Sequence, residues 1–122
     1  METRIAQNGE NKVAVVTGEG MVFTGVQSAL DFMMQIRYDT DCDCAVVPKT
    51  SVPQEFFDLK TGFAGEILQK FTNYGFRLAF AGDFAAIKSK SLRDFIFESN
   101  RAKRFLFVAT EEEALDIYLG RE

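Results

Sequence analysis

The side chains best placed to do chemistry fall in a few short stretches. In FDLKTGFAGEILQKFTNYG, residues 57–75, Asp58, Lys60, Thr61 and Gly62 precede an apolar repeat of helical spacing, and Gly65 sits in its first turn. A helix start exposes free N–H groups and the positive end of the helix dipole, so it attracts anions. There the Thr61 hydroxyl is a candidate phosphoacceptor, and Lys60 is placed to steady a phosphate. The structural alternative is that Asp58 or Thr61 only caps the helix while Gly62 and Gly65 permit close packing. The spacing is not that of a glycine-rich phosphate loop ending in Gly-Lys-Ser/Thr.

Asp83 follows an alternating apolar run in AFAGDF. In parallel sheets the carboxyl ends of strands and the starts of the following helices share one rim, and ligands use it. Asp83 and Thr61 are therefore expected on one side of the sheet; the alternative for Asp83 is a turn residue. Residues 88–104 set six cations, among them Lys88 and Arg93, against Asp94 and Glu98. Such a run suits an acidic partner or a phosphate, or is simply a solvated helix face. Ser91 with Asp94 has the spacing of a capping box. Phe97 falls off the apolar stripe set by Leu92, Phe95 and Ile96; exposed, it marks a protein interface, and otherwise it lies under a loop.

DTDCDC invites a metal, because Asp39, Asp41 and Asp43 match the first ligand positions of a calcium loop. The glycine such a loop needs is Cys44 and its closing glutamate is Thr50, so the match fails. Cys42 and Cys44 have no second pair and the chain has no histidine, which argues against zinc. The stretch reads as a polar turn entering a core strand. Without histidine the usual imidazole acid–base chemistry is absent. A noncatalytic domain with no metal and no cofactor is expected.

The elements that must position these residues follow from periodicity. TRIAQ and KVAVVTG around Asn8-Gly9 predict a hairpin, and MVF, residues 21–23, is a possible third strand. Val26, Ala29, Leu30, Met33 and Ile36 predict an amphipathic helix. CAVVP is a short strand stopped by Pro48, and SVPQEFFD a connector or single helical turn. Phe63, Ile67, Phe71 and Tyr74 line the helix of the opening stretch, which ends at Asn73-Tyr74-Gly75. FRLAFAG alternates, with Phe76, Leu78 and Phe80 on one side and Arg77, Ala79 and Ala81 on the other. SLRDFIFES predicts a third helix, RFLFVA a strand, and TEEEALDIYLG a closing helix capped by Thr110 and Glu113. Alternating β and α units imply parallel strands with right-handed crossovers. The expected fold is thus a single α/β domain over residues 1–122: a mixed sheet, antiparallel at its N-terminal hairpin, with about four helices.

Bulk properties agree. The chain has 122 residues, 47% of them hydrophobic and 26% charged, with thirteen Phe and no Trp, so phenyl rings must carry much of the core. A net charge of −4 argues against nucleic-acid binding. No apolar run approaches a membrane span and no signal-peptide pattern opens the chain, so a cytoplasmic location is expected.

FFDLKTGFAGEILQKFTNYGFRLAFAGDF, followed by SKSLRDFIFESN, resembles the uncharacterised bacterial domain-of-unknown-function family 4180, over most of the chain. More distantly, the loop, the DLKTG helix start and the FRLAFAG strand resemble the STAS domain, the fold of sulfate transporters and anti-sigma-factor antagonists. In regulatory STAS domains a Ser or Thr at this place is phosphorylated by a partner kinase, which controls partner binding. The resemblance carries over Asp58, Thr61 and Gly62, with Thr61 at the phosphoacceptor place; Leu59-Lys60 lengthens the loop and the adjacent serine is missing. It implies a STAS-like regulatory domain with a protein partner, switched near Thr61. A small-molecule or anion binder, or an enzyme, using the rim of Thr61 and Asp83 is the alternative. A homodimer joined through spare aromatic surface such as Phe97 is the third.

Overall fold

The computed structural model describes residues 1–121. Strands β1 (Glu2–Asn8) and β2 (Asn11–Thr17) form an antiparallel hairpin with Asn8 opposite Asn11. Gly9, at φ +63°, supplies the left-handed residue that this two-residue turn requires. Helix α1 (Val26–Thr40) leads to β3 (Cys44–Pro48), and three short 3-10 turns lead to α2 (Phe63–Asn73). Then come β4 (Arg77–Ala81), α3 (Lys90–Ala102), β5 (Phe105–Val108) and α4 (Glu111–Tyr118). The strands lie in sequence order β1-β2-β3-β4-β5, and every pairing after the hairpin is parallel.

That order decides the layers. Successive right-handed crossovers that always step to the next strand must put every connecting helix on the same face. Accordingly α1, α2 and α3 share one core with Ala14, Val16, Ala45, Val47, Leu78, Phe80 and Phe107. Helix α4 alone covers the other face, where Ala114, Leu115, Tyr118 and Leu119 meet Val13, Val15, Val46, Ala79 and Leu106. The alternation expected in FRLAFAG holds: Leu78 and Phe80 face the three helices, Ala79 and Ala81 face α4. The first face is packed with rings; Phe80 stacks on Phe107 at 5.0 Å and Phe71 meets Phe76 edge-on at 5.2 Å. Each fully buried Phe contributes about 1.5–3 kcal/mol. The same two residues close α2. Phe76 N–H donates to the Phe71 carbonyl and Gly75, at φ +70°, donates to Thr72, so the helix ends in a left-handed cap sealed by a ring contact.

Two local expectations are corrected, and a third gains detail. MVF is not a strand: residues 21–23 cross the rim, Val22 N–H donates to the Ser51 carbonyl at 2.8 Å, and Phe23 plugs the core between Phe32, Phe56 and Phe71. Ser91 is not the cap of α3. Ser89 is, its hydroxyl accepting from Leu92 N–H at 3.2 Å, and Asp94 is occupied by Lys90 at 2.7 Å. DTDCDC is a turn as expected, yet its cysteines serve different layers. Residues two apart in a strand share a face, but β3 begins only at Cys44, so the bend at Asp43 leaves Cys42 in the core of the three helices and Cys44 under α4.

The β5 edge of the sheet is covered by a side chain. Asn100 of α3 lies alongside β5, its amide oxygen accepting from Phe107 N–H at 2.7 Å and its NH2 donating to the Phe107 carbonyl at 3.1 Å. One side chain thus stands in for a missing strand, which blunts an edge that would otherwise recruit another chain.

Candidate functional site

The parallel strands deliver their carboxyl ends, and the starts of α2 and α3, to one rim. Pro53 opens the turn Gln54–Phe57, and buried Phe56 anchors it. Asp58 then caps the next turn, Leu59–Thr61, by accepting from Lys60 N–H at 3.2 Å. The Thr61 hydroxyl shares its hydrogen between the Asp58 carbonyl at 2.9 Å and the Glu55 carbonyl at 3.1 Å, and accepts from Phe63 N–H at 3.1 Å. It therefore ties three pieces of chain together. Gly62 follows at φ +74° as the N-cap, and α2 begins at Phe63. Thr61 lies one residue outside the helix it was expected to cap, and satisfies that helix's first amide from there.

Close packing does not explain the two glycines. A Cβ built on Gly62 or on Gly65 meets nothing within 4 Å. Gly62 is needed for its positive φ. Gly65 has neither a positive φ nor a neighbour, so it simply leaves backbone exposed in the first turn of α2.

Beside this loop runs a groove of about 510 Å3, lined by Phe57, Asp58, Leu59, Lys60, Ser89 and Ser91. Two segments thirty residues apart form its walls, one before α2 and one at the start of α3. Thr61 and Asp83 lie on the same rim, but neither lines the groove. Asp83 turns its carboxylate onto Ala85 N–H at 2.9 Å. Arg93 folds back onto the carbonyls of Ile87 and Lys88, at 3.2 and 3.4 Å, and Lys88 is exposed outside the groove. Phe97 is 64% exposed on α3.

The groove lies outside the sheet's own crevice for a physical reason. In α/β sheets the crevice opens between neighbouring strands whose following helices take opposite faces. Here those are β4 and β5, and the space is filled. Lys49, just past β3, lies over the Phe84 ring at 4.7 Å and the Phe57 ring at 5.8 Å, and donates to the Asp83 carbonyl. Gly82 makes room for it: a Cβ there would stand 2.5 Å from Lys49 Cβ. Phe84 wedges between Phe57 and Phe107, 5.7 Å from each. Lys49 was not singled out from the sequence; its position immediately after Pro48 at a strand's carboxyl end was the available signal.

The family model described as a domain of unknown function, DUF4180, matches residues 8–117, from the hairpin turn into α4. The chain belongs to this family. No curated protein and no solved structure matches it. The carboxyl-end groove of the DUF4180 domain lies within the matched residues, and no helix among those described is long and apolar enough to cross a membrane.

The opposite, amino-end rim of this DUF4180 domain holds a second cavity, of about 190 Å3, lined by Glu10, Asn11, Lys12, Asp41, Cys42, Asp43, Cys44, Arg77 and Tyr118. It opens beside the last residue of α4, Tyr118, which packs at the starts of β3 and β4. Arg77 lies over the Tyr118 ring at 4.7 Å, and the Tyr118 hydroxyl is fixed by donating to the Arg104 carbonyl at 2.6 Å. Burial pushes the Cys44 thiol up to about 12 despite the nearby Arg77 charge, and raises Tyr118 as well. Both stay neutral at physiological pH, and Cys44 is no nucleophile. No three Cys, Asp or Glu side chains among the described residues converge as a metal site would need. From the sequence DTDCDC reads only as a turn, because Lys12, Arg77 and Tyr118 join it through strand register and the return of α4.

Proposed function

We propose that this domain is a noncatalytic, cytoplasmic interaction module that binds a partner protein through the carboxyl-end rim. The observation that carries this is the groove between Leu59-Lys60 and Ser89-Ser91. Its floor offers Phe57 and Leu59, its wall offers the Lys60 ammonium and the Ser91 hydroxyl, and Lys88 stands nearby, exposed. A partner segment with an apolar side chain next to an acidic one complements that set.

The STAS-like, regulatory part of the proposal rests on Thr61. Phosphorylation there replaces the hydroxyl hydrogen that bridges the Glu55 and Asp58 carbonyls, and brings roughly −1.5 to −2 charge. The turn that forms one groove wall then loses its staple, so a modification outside the groove changes docking within it.

The test is site-specific photo-crosslinking in the native host from position 91, with position 38 on α1 as a distant control. One protein is expected to be captured from 91, not from 38, and to be lost with Leu59→Asp. Equal capture from both positions, or capture unaffected by Leu59→Asp, sinks the partner surface. Intact-mass measurement of host-purified protein tests the switch: finding only unmodified chain, with capture unchanged in Thr61→Val, removes it. A second possibility, a small-molecule or anion site in the same groove, is favoured by its volume, which lies within the roughly 300–1,000 Å3 of ligand pockets.

A further inference from the structure

We infer that the amino-end cavity is a binding site for a small carboxylic acid, with Arg77 as the carboxylate-binding residue. The reason begins with what Arg77 lacks. Its guanidinium rests on the Tyr118 face, which satisfies the plane of the group but none of its five N–H donors. Among the described residues no carboxylate lies within 4.0 Å of it and no oxygen accepts from its side chain, although two aspartates and a glutamate line the same cavity. Those acids are otherwise engaged or set apart. Asp43 is held by Arg37 at 2.7 Å and Asp41 stands 3.5 Å from Lys12. The wall keeps one unanswered cation, Arg77, and one unanswered anion, Glu10.

Register builds this arrangement. Arg77 pairs with Cys44 across β3 and β4, so both side chains face α4 at the strand starts, where Tyr118 is the last helical residue to cover them. The Tyr118 ring, its hydroxyl anchored on the Arg104 carbonyl, lies against the guanidinium, and Arg77 lines the open space. A carboxylate matches that fork with two parallel N–H···O bonds. Cys44 stays a neutral thiol in the wall and does not compete with an incoming anion.

Charge and size narrow the ligand. One free cation suits one negative charge; a phosphate dianion would face Glu10 with no second free cation to answer it. A volume of about 190 Å3 corresponds to about six water-sized groups, enough for a short acid or a small amino acid. A plain acid would use Arg77 alone, whereas an α-amino acid would also set its ammonium against Glu10 or Asp41. The site is independent of the carboxyl-end groove and stands or falls without it.

The test is an amide NMR titration of the whole chain at constant ionic strength with sodium propionate, L-alanine and inorganic phosphate in separate arms. Saturable shifts at Cys44, Arg77 and Tyr118 are expected with propionate, L-alanine or both. A stronger response to L-alanine assigns an amino-bearing ligand, and an equal or stronger response to propionate assigns a plain acid. Arg77→Lys keeps the charge but loses the fork, and should weaken binding roughly tenfold or more. Lys12→Gln, at a strand start and half-buried, is the second variant and should weaken it by a smaller factor while the fold is retained. No saturable shift at Arg77 in either carboxylate arm, a tighter response to phosphate, or full-strength binding by Arg77→Lys would each overturn the assignment.

Discussion

Thr61→Val is the most informative single change on the carboxyl-end rim. Valine keeps the shape of threonine and removes only the hydroxyl. The hydrogen shared by the Asp58 and Glu55 carbonyls, at 2.9 and 3.1 Å, is lost, and so is the acceptor for Phe63 N–H at 3.1 Å. Two neutral hydrogen-bonding roles disappear, each worth about 0.5–1.5 kcal/mol net. The site is exposed, so water recovers part of this, and the expected loss is about 1–2 kcal/mol, similar to losing a helix cap. With a urea slope of about 1–3 kcal/mol/M for a small protein, the unfolding midpoint should fall by roughly 0.3–2 M. Thr61→Ser keeps both roles and should remain within about 0.5 kcal/mol of the parent. Hydrogen exchange adds a local readout, since Phe63 should lose protection in Thr61→Val and keep it in Thr61→Ser. If Thr61→Val unfolds with the parent, or Thr61→Ser falls as far as Thr61→Val, the hydroxyl is not a staple and the proposed coupling of Thr61 to the groove wall has no physical basis.

Other changes follow from the same contacts. Gly65→Ala should stabilise the chain by about 0.5–1 kcal/mol in urea unfolding, because its Cβ meets open space in a helical turn. If it also weakens photo-capture at position 91, a partner approaches that backbone. Gly82→Ala should cost about 1–3 kcal/mol, since the new Cβ stands 2.5 Å from Lys49 Cβ; a neutral result would mean that Lys49 does not fill the crevice. Asn100→Ala orphans the Phe107 N–H and carbonyl and opens the β5 edge, so a loss of about 2–4 kcal/mol and concentration-dependent light scattering are expected. Alkaline pH should destabilise the fold. The Cys44 thiol ionises at its ordinary 9.0 when unfolded but at about 12 when folded, so its contribution is complete below pH 9 and is lost as pH rises towards 12. Tyr118 acts in the same direction, and Cys44→Ala should flatten the alkaline limb of a stability–pH profile.

Much of the fold was legible because its signals are local. KVAVVTG announces a hairpin strand, CAVVP a fully apolar one and FRLAFAG an alternating one, and Gly75 and Thr110 mark helix ends by side-chain chemistry acting within a few residues. Capping was legible in kind but not in position. Ser89 and Ser91 are both competent caps, and the one that docks Leu92 into the core decides where α3 starts. MVF looked like a strand because Phe23 is apolar, yet its burial comes from a loop crossing the ring cluster, which periodicity cannot show.

The sequence by itself determined the element types, the mixed sheet and the placing of Thr61 and Asp83 on one rim, because a parallel crossover constrains where strand ends and helix starts can go. Only the tertiary structure decided which side chains share a space there. Lys49, Gly82 and Phe84 close the central crevice, and Leu59, Lys60 and Ser91 border the open groove instead. It alone brought Lys12, Cys44, Arg77 and Tyr118 to one cavity, from four elements spread over more than a hundred residues. The physical reason is range: backbone hydrogen bonding and apolar period are written in neighbouring residues, whereas a cavity is the volume that distant side chains fail to fill.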